Sequence, residues 1–418
     1  MSCPGLWRKV GYLIGLVNLF TFVSEPRSSG QKAKRPDVQQ ELPERRELLA
    51  TERIPFTAPP PLLADSGMKC DLNGNIYLVY TDAPEAVLSQ GNAVARLPIQ
   101  KLSIEHKTAV QFPIPAKPDY ETVLRYDFDV DGNGKVYALL SAWNEPDQKD
   151  KPSAAYLIVK YKDDGTMDSF IKIRDVPGEH LQPLRFAAFP DGNFLLFGTN
   201  PGERGLGVFT AVFDRGGTFV TEVKVPEDAD IVSPKAATHS ADDTTGKEAA
   251  SRGRASSLQE AGEPHSPRGR GSKANTVGAV SQGLALSSPD GNIYMLRATD
   301  PPRVYVVAPG GNVIREFEIT RPAPGLSPIQ MAMAGDDKLF VGFAHIATGA
   351  PGENNDASRL ITVVDPNNGQ VTAVYRLAPT ETRFRLAGCA SSPYNFLFAG
   401  STEDNKKLEV VRYSPGVY

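Results

Sequence analysis

The chain has 418 residues, a net charge of −4 at neutral pH, 40% apolar residues, 37 Gly and 35 Pro. A charge this close to balance argues against a nucleic-acid surface, and five scattered His argue against a histidine-rich metal centre. The length suits one large all-β domain or about two or three ordinary ones. At the N-terminus Arg8-Lys9 precedes Val10–Val23, a mostly apolar run too short to span a bilayer comfortably. Residues 1–23 are expected to be a signal peptide, with a short membrane anchor as the rival reading. Export, to the periplasm, cell envelope or exterior, follows from either, and any membrane contact is confined to this segment. Residues 24–47, rich in Pro, Gln, Ser and charge, form a solvated linker.

From 48 to 418 the chain repeats itself. Strand-like sequence begins near Leu48–Thr57, and a turn followed by an apolar strand then recurs. Aligned on this turn and the second strand that follows it, the copies read Asp71-Leu-Asn-Gly-Asn-Ile-Tyr77, Asp131-Gly-Asn-Gly-Lys-Val-Tyr137, Pro190-Asp-Gly-Asn-Phe-Leu195, Pro289-Asp-Gly-Asn-Ile-Tyr294, Gly335-Asp-Asp-Lys-Leu-Phe340 and Ser392-Pro-Tyr-Asn-Phe-Leu397. Third strands are expected at Ala93–Leu97, Tyr156–Tyr161, Val208–Phe213, Val304–Val307, Leu360–Val364 and Leu408–Tyr413. Fourth strands are expected at Ala109–Phe112, Ser169–Ile173, Phe219–Val223, Val313–Ile319 and Val371–Leu377. Each four-stranded unit has two apolar faces and must stack on its neighbours.

The sixth copy ends without a fourth strand, and the unclaimed strand near Ala50–Thr57 can supply it. Such a circular offset closes a ring and removes the exposed sheet edge. Between the third and fourth copies lies an excess segment at about 228–276. Within it Ala237–Lys273 holds almost no β-branched or aromatic residue, so it is read as a disordered insertion rather than a further unit.

The stretch Leu124–Leu140, LRYDFDVDGNGKVYALL, resembles the NHL-type repeat, and residues 50–418 are similar to six-bladed β-propellers of the NHL and TolB-like kind. The resemblance implies an all-β fold, a six-bladed propeller whose last blade is completed by the N-terminal strand. It implies no particular activity, because propellers host lactonases, hydrolases, lyases and binding modules alike.

Three sets of residues could carry chemistry. Asp129, Asp131 and Asn133 lie at alternate positions before Gly134, as in the first half of a calcium loop, although Leu140 stands where the bidentate Glu belongs. The plainer reading is a hairpin turn that favours Asp and Asn. Arg125, Arg185, Gln330 and Arg385 enter the innermost strands of their copies, alongside Gly67 and Gly283. Three guanidinium groups at one channel mouth would suit a carboxylate or phosphate ligand, whereas in the alternative they bond neighbouring blades. Cys70 and Cys389 fall on innermost strands of the first and last copies, and are either a disulfide at the ring seam or two buried thiols. Tyr77, Tyr137, Tyr294 and Phe340 recur at one strand position and are expected to pack between blades.

With no Gly-x-Ser-x-Gly elbow, and with His106, His180 and His345 far from any repeated Ser or Asp cluster, nucleophilic catalysis has no sequence support. The expected function is a binding module for a protein or a small anionic ligand, without a cofactor. The alternative is a calcium-assisted lactonase or hydrolase that uses the propeller channel.

Overall fold

The computed structural model describes residues 41–56, 68–71, 73–79, 94–105, 108–131, 133–144, 154–174, 181–202, 205–226, 278–333, 337–344, 359–377, 385–387, 396–402, 404 and 406–416. The leader, most of the linker, the insertion at 228–276, Gly67, Cys389 and the three His of the repeat region lie outside them. The chain divides into units 1–39 and 40–418, and all described residues belong to the second. No helix among the described residues is long and apolar enough to cross a membrane.

The described chain is all-β. Its first strand, β1, is Arg45–Pro55, and sheets of four antiparallel strands follow in chain order. The first sheet is β2 (Lys69–Cys70), β3 (Ile76–Val79), β4 (Ile99–Ser103) and β5 (Thr108–Phe112). The second is β6 (Thr122–Val130), β7 (Val136–Trp143), β8 (Ala155–Tyr161) and β9 (Met167–Lys172). The third is β10 (Gln182–Ala188), β11 (Phe194–Gly202), β12 (Gly205–Phe213) and β13 (Phe219–Glu222). The fourth is β14 (Leu284–Ser287), β15 (Ile293–Arg297), β16 (Arg303–Val307) and β17 (Val313–Glu318).

The remaining strands form one eight-stranded sheet. Its strands are β18 (Ser327–Met333), β19 (Leu339–Ala344), β20 (Leu360–Val364), β21 (Val371–Arg376), β22 (Arg385–Ala387), β23 (Phe396–Ser401) and β24 (Leu408–Pro415), together with β1. Their order is β18-β19-β20-β21-β1-β24-β23-β22. β1 bridges the two halves: Arg45–Glu47 run parallel to Val374–Arg376, and the rest of the strand pairs antiparallel with β24, Ala50 opposite Tyr413 and Ile54 opposite Val410.

The turns explain why each hairpin forms where it does. Asp71 Oδ1 accepts the N–H groups of Asn73 and Asn75 at 2.9 and 3.0 Å, and Asp131 Oδ1 accepts those of Asn133 and Lys135, both at 2.9 Å. These Asx contacts make the turn locally, ahead of any packing. Other turn glycines answer a demand from the next sheet. A Cβ on Gly165 would lie 2.0 Å from the Gln111 carbonyl oxygen in β5, and one on Gly217 would lie 2.1 Å from that of Lys172 in β9. The turn before the outermost strand of one sheet therefore presses on the outermost strand of the preceding sheet.

Stacking gives a propeller-like arrangement with its core between sheets. Apolar clusters join the first sheet to the second around Phe112, Phe128 and Tyr161, and the second to the third around Tyr137, Phe186 and Phe194. Others join the third to the fourth around Phe197 and Tyr305, and the fourth to β18–β21 around Tyr294, Phe317 and Phe343. Phe340, Tyr375, Phe396 and Tyr413 fill the space between β18–β21 and β22–β24, and Ile54, Phe56, Ile76 and Leu397 fill that between the last strands and the first sheet. Tyr77, Tyr137, Tyr294 and Phe340 are all buried in these layers.

Two sequence expectations need correction. Ala93–Leu97 does not supply the third strand of the first sheet; Val94–Arg96 is a 3-10 turn, and the strand is Ile99–Ser103. Pro98 has no N–H for a sheet ladder, so pairing starts after it. The first strand also starts at Arg45 rather than near Leu48, because its first three residues pair with β21, a partner remote in sequence.

Candidate functional site

Each sheet's first strand is paired on one side only, so its other edge presents N–H and C=O groups toward the first strands of other sheets. Buried edge groups need partners. Here side chains from neighbouring sheets provide them.

Two carboxylates of β6 cap the edge of β10. Asp127 Oδ2 accepts the Phe186 N–H at 3.3 Å and Asp129 Oδ2 accepts the Ala188 N–H at 2.9 Å, so residues i and i+2 on one strand match i and i+2 on the next. Ser287 of β14 places its hydroxyl 2.6 Å from Asp129 Oδ2 and 2.7 Å from the Ala188 carbonyl oxygen, sharing one proton between them. Lys69 of β2 donates to the Ala285 carbonyl at 2.5 Å, and its Nζ lies 3.4 Å from Asp129 Oδ1. That oxygen is fully buried and has this ion pair but no hydrogen bond. Asp129, with no exposed surface, thus connects four sheets.

Burial pushes the Asp127 carboxyl above the usual carboxylate range, and the charges of Arg185 and then Lys69 oppose that rise. Lys69, Arg185 and Arg125 all face the carboxylates of β6, and each also donates to a backbone carbonyl, so these cations are engaged within the protein.

The predicted arginine set is found in a different arrangement from the expected one. Arg185 donates from Nε to the Gly283 carbonyl at 3.2 Å, from Nη1 to that of Leu184 at 2.9 Å and from Nη2 to that of Ser281 at 3.1 Å. Gln330 Nε2 donates to the Met68 carbonyl at 3.2 Å. Arg125 is 5% exposed, donates to the Leu97 carbonyl, and is pulled down to about 10 by burial. Arg385 opens β22 opposite Ala399.

The expected equivalence fails at Arg125. A bulge separates Arg125 from Asp127, and others separate Pro183 from Arg185 and Pro328 from Gln330. Counting from each hairpin turn, the register partner of Arg185, Gln330 and Arg385 in the second sheet is Asp127. Arg125 stands one pairing step further along, level with Pro183 and Pro328. Inter-sheet bonding to carbonyls, the plainer of the two sequence readings, is what the described arginines do.

Asp129, Asp131 and Asn133 likewise serve separate ends. Asp129 belongs to the inter-sheet network, while Asp131 Oδ1 holds the amides of its own turn, Asn133 included. Among the described residues no three His, Cys, Asp or Glu are grouped to hold a metal ion. Cys70 is disulfide-bonded, which corrects the free-thiol reading for that residue.

Sequence reasoning missed the bulged residues themselves. Tyr126 is 45% exposed and Ile329 37% exposed, with Leu184 half-buried at the matching place in β10. Bulges re-aim side chains and are common beside binding sites. The Tyr126 ring meets that of Tyr156 edge-on, centroids 6.2 Å apart. These residues lie toward the end of the sheets where the innermost strands begin. The strands that border the segments 80–98, 144–154, 223–283 and 345–359 end or begin at this same end, while most hairpin turns at the opposite end are tight.

No family model matches this chain, and no curated protein matches it. Solved structures with similar shape include a protein of unknown function from Dyadobacter fermentans, 12% identical, covering 88% of this chain and 99% of that one, with a TM-score of 0.48. An alpha-L-arabinanase from Penicillium chrysogenum is 11% identical over 88% of this chain and 98% of that one, TM-score 0.40. TolB from Acinetobacter baumannii is 11% identical over 77% of this chain and 61% of that one, TM-score 0.34. Likeness at these scores carries nothing about activity. Its sheets and the apolar cores between them define the chain as an all-β protein of propeller-like arrangement.

Proposed function

We propose that this chain is an exported six-bladed β-propeller that binds a partner protein on the end of the ring where its innermost strands begin. The count of six treats the eight-stranded sheet as two blades, β18–β21 and β22–β24 completed by β1. It is supported by the six apolar clusters, each lying between consecutive four-stranded units and the last returning to the first. Export is supported by the basic-then-apolar N-terminus and by a disulfide at Cys70, a bond that persists in oxidising compartments.

The binding reading rests on one observation: at three bulges Tyr126 and Ile329 are exposed and Leu184 is half-buried, toward the end of the sheets where the strands bordering the segments 80–98, 144–154, 223–283 and 345–359 also terminate. Rigid sheets that hold variable loops at one end are the usual platform for recognition. A protein partner is favoured over a small anion because the neighbouring cations are already matched by Asp127 and Asp129 and by backbone carbonyls.

The test is a peptide-display selection on the wild-type protein and on a Tyr126→Ser/Ile329→Ser variant of equal melting temperature. Apolar-rich peptides should be enriched on the first and lost on the second. Equal enrichment on both would refute the site. Turnover of lactones or esters that vanishes in Asp129→Asn would replace binding with hydrolysis.

A further inference from the structure

We infer that the gap between the second and third sheets, at the end where the innermost strands begin, receives a proline-rich segment of the partner in the polyproline II conformation. The inference rests on the protein-binding reading and names the kind of chain that enters. Three amphipathic aromatics of the second sheet form one wall. Tyr156 of β8 pairs with Ser141 of β7, and Trp143, two residues on, shares that face as the diagonal neighbour of Tyr156. The exposed Tyr126 meets the Tyr156 ring edge-on at an interplanar angle of 65°, which makes an angled slot. Trp143 and Tyr156 are both half-buried. The same face carries Tyr137, Leu139 and Ile158, which pack against the third sheet, so the aromatic wall looks toward β10–β13.

The opposite wall is low. Phe209 of β12 packs in the layer between these two sheets, and Gly207, two residues before it, lies on the same face. A Cβ on Gly207 would meet only its own cross-strand neighbour Asn200, at 3.4 and 3.9 Å, and no described atom of the second sheet within 4 Å. The bulge at Leu184 passes over Gly198, where an added Cβ would lie 2.8 Å from the Leu184 nitrogen. Half-buried Leu184 thus bounds the slot on the side of the innermost strand.

Facing sheets stand about 10 Å apart, so the space above Gly207 takes one extended chain but not a helix, itself about 10 Å across with its side chains. A polyproline II segment has no internal hydrogen bonds, and where it is proline-rich it presents carbonyl acceptors with few N–H donors. The wall supplies the missing donors. The Tyr126 and Tyr156 hydroxyls and the Trp143 indole N–H have no hydrogen-bond partner among the described residues. Burial, and then Tyr126, push the Tyr156 hydroxyl up to about 12, so it remains a donor at neutral pH. Aromatic-lined grooves are the usual seat of such segments, whose prolines lie on the ring faces. The lining named here carries no charge, and Arg185, next to Leu184, is taken up by three backbone carbonyls, which disfavours an ionic segment.

The probe is decaproline, added to full-length protein carrying Trp7→Phe, in which Trp143 is the sole tryptophan. Its emission should change saturably with decaproline and not with a glycine–serine peptide of equal length. Gly207→Leu fills the slot and should abolish the response. Tyr156→Phe keeps the ring, removes one donor and should weaken binding by about two- to tenfold. No saturable response, equal affinity for the glycine–serine peptide, or equal affinity in wild type and both variants would overturn the inference. Should Gly207→Leu fail to fold, Tyr156→Phe decides alone. Enrichment of apolar peptides that is lost in Tyr126→Ser/Ile329→Ser, with no response to decaproline, would sink the slot and leave the binding face standing. Equal enrichment on both of those proteins would remove the face itself.

Discussion

Lys69 Nζ stands 3.4 Å from Asp129 Oδ1, an ion pair between the first strands of two different sheets. Lys69 reaches past its own sheet to Ala285 in the fourth, and Asp129 holds Ala188 in the third and Ser287 in the fourth. Removing one member leaves the other buried and uncompensated. Asp129→Ala should therefore cost about 3–5 kcal/mol in urea denaturation, and Lys69→Ala a similar or smaller amount because its side chain keeps 13% of its exposure. The Lys69→Ala/Asp129→Ala double variant should lose clearly less than the sum of the two single losses. Simple additivity would mean the pair does not couple the sheets.

Asp127 provides a pH dependence whose sign can be worked out. Its carboxyl is raised in the folded protein by burial, so the fold holds that proton more tightly than the unfolded chain does. Its contribution to stability is therefore greatest in acid and is lost as pH rises through the folded value. Asp127→Asn keeps an acceptor for the Phe186 N–H and has no charge to bury. Between about pH 4 and 7 the variant should gain stability relative to wild type, read from denaturation midpoints at several pH values. A gain for wild type instead would show that Arg185 and Lys69 outweigh the burial.

Two glycines with positive φ should respond differently to alanine. Gly165, at φ +86°, has the Gln111 carbonyl where a Cβ would go, whereas Gly74, at φ +75°, has nothing within 4 Å. Gly74→Ala should cost about 1 kcal/mol from backbone strain alone. Gly165→Ala adds a displacement of one sheet from the next and should cost at least about 2 kcal/mol. Equal losses would refute the inter-sheet contact.

The N-terminal strand should be indispensable. Deleting residues 41–56 strips β24 of one of its two partners and uncovers the layers that hold Leu48, Ile54 and Phe56. The truncated chain should lose cooperative melting or aggregate. Leu48→Ala, a single buried truncation, should fold with a loss of about 2–5 kcal/mol.

The sequence determined the units by itself wherever the information was local. Asp71, Asp131 and the turn glycines encode hairpins through their own backbone contacts, and the alternation after them encodes second strands that the structure forms at Ile76, Val136, Phe194, Ile293, Leu339 and Phe396. Pairing of residues near Ile54 with the C-terminal strand was legible too, because the last copy lacked a strand. Tertiary structure alone decided what the polar residues do. The bulge before Asp127 moves it, rather than Arg125, into register with Arg185, and a one-residue offset of that kind leaves no mark in a pattern of apolar residues. The use of Lys69, Asp129 and Ser287 as partners depends on strands far apart in the chain meeting edge to edge, where unpaired backbone groups select whichever side chains can reach them.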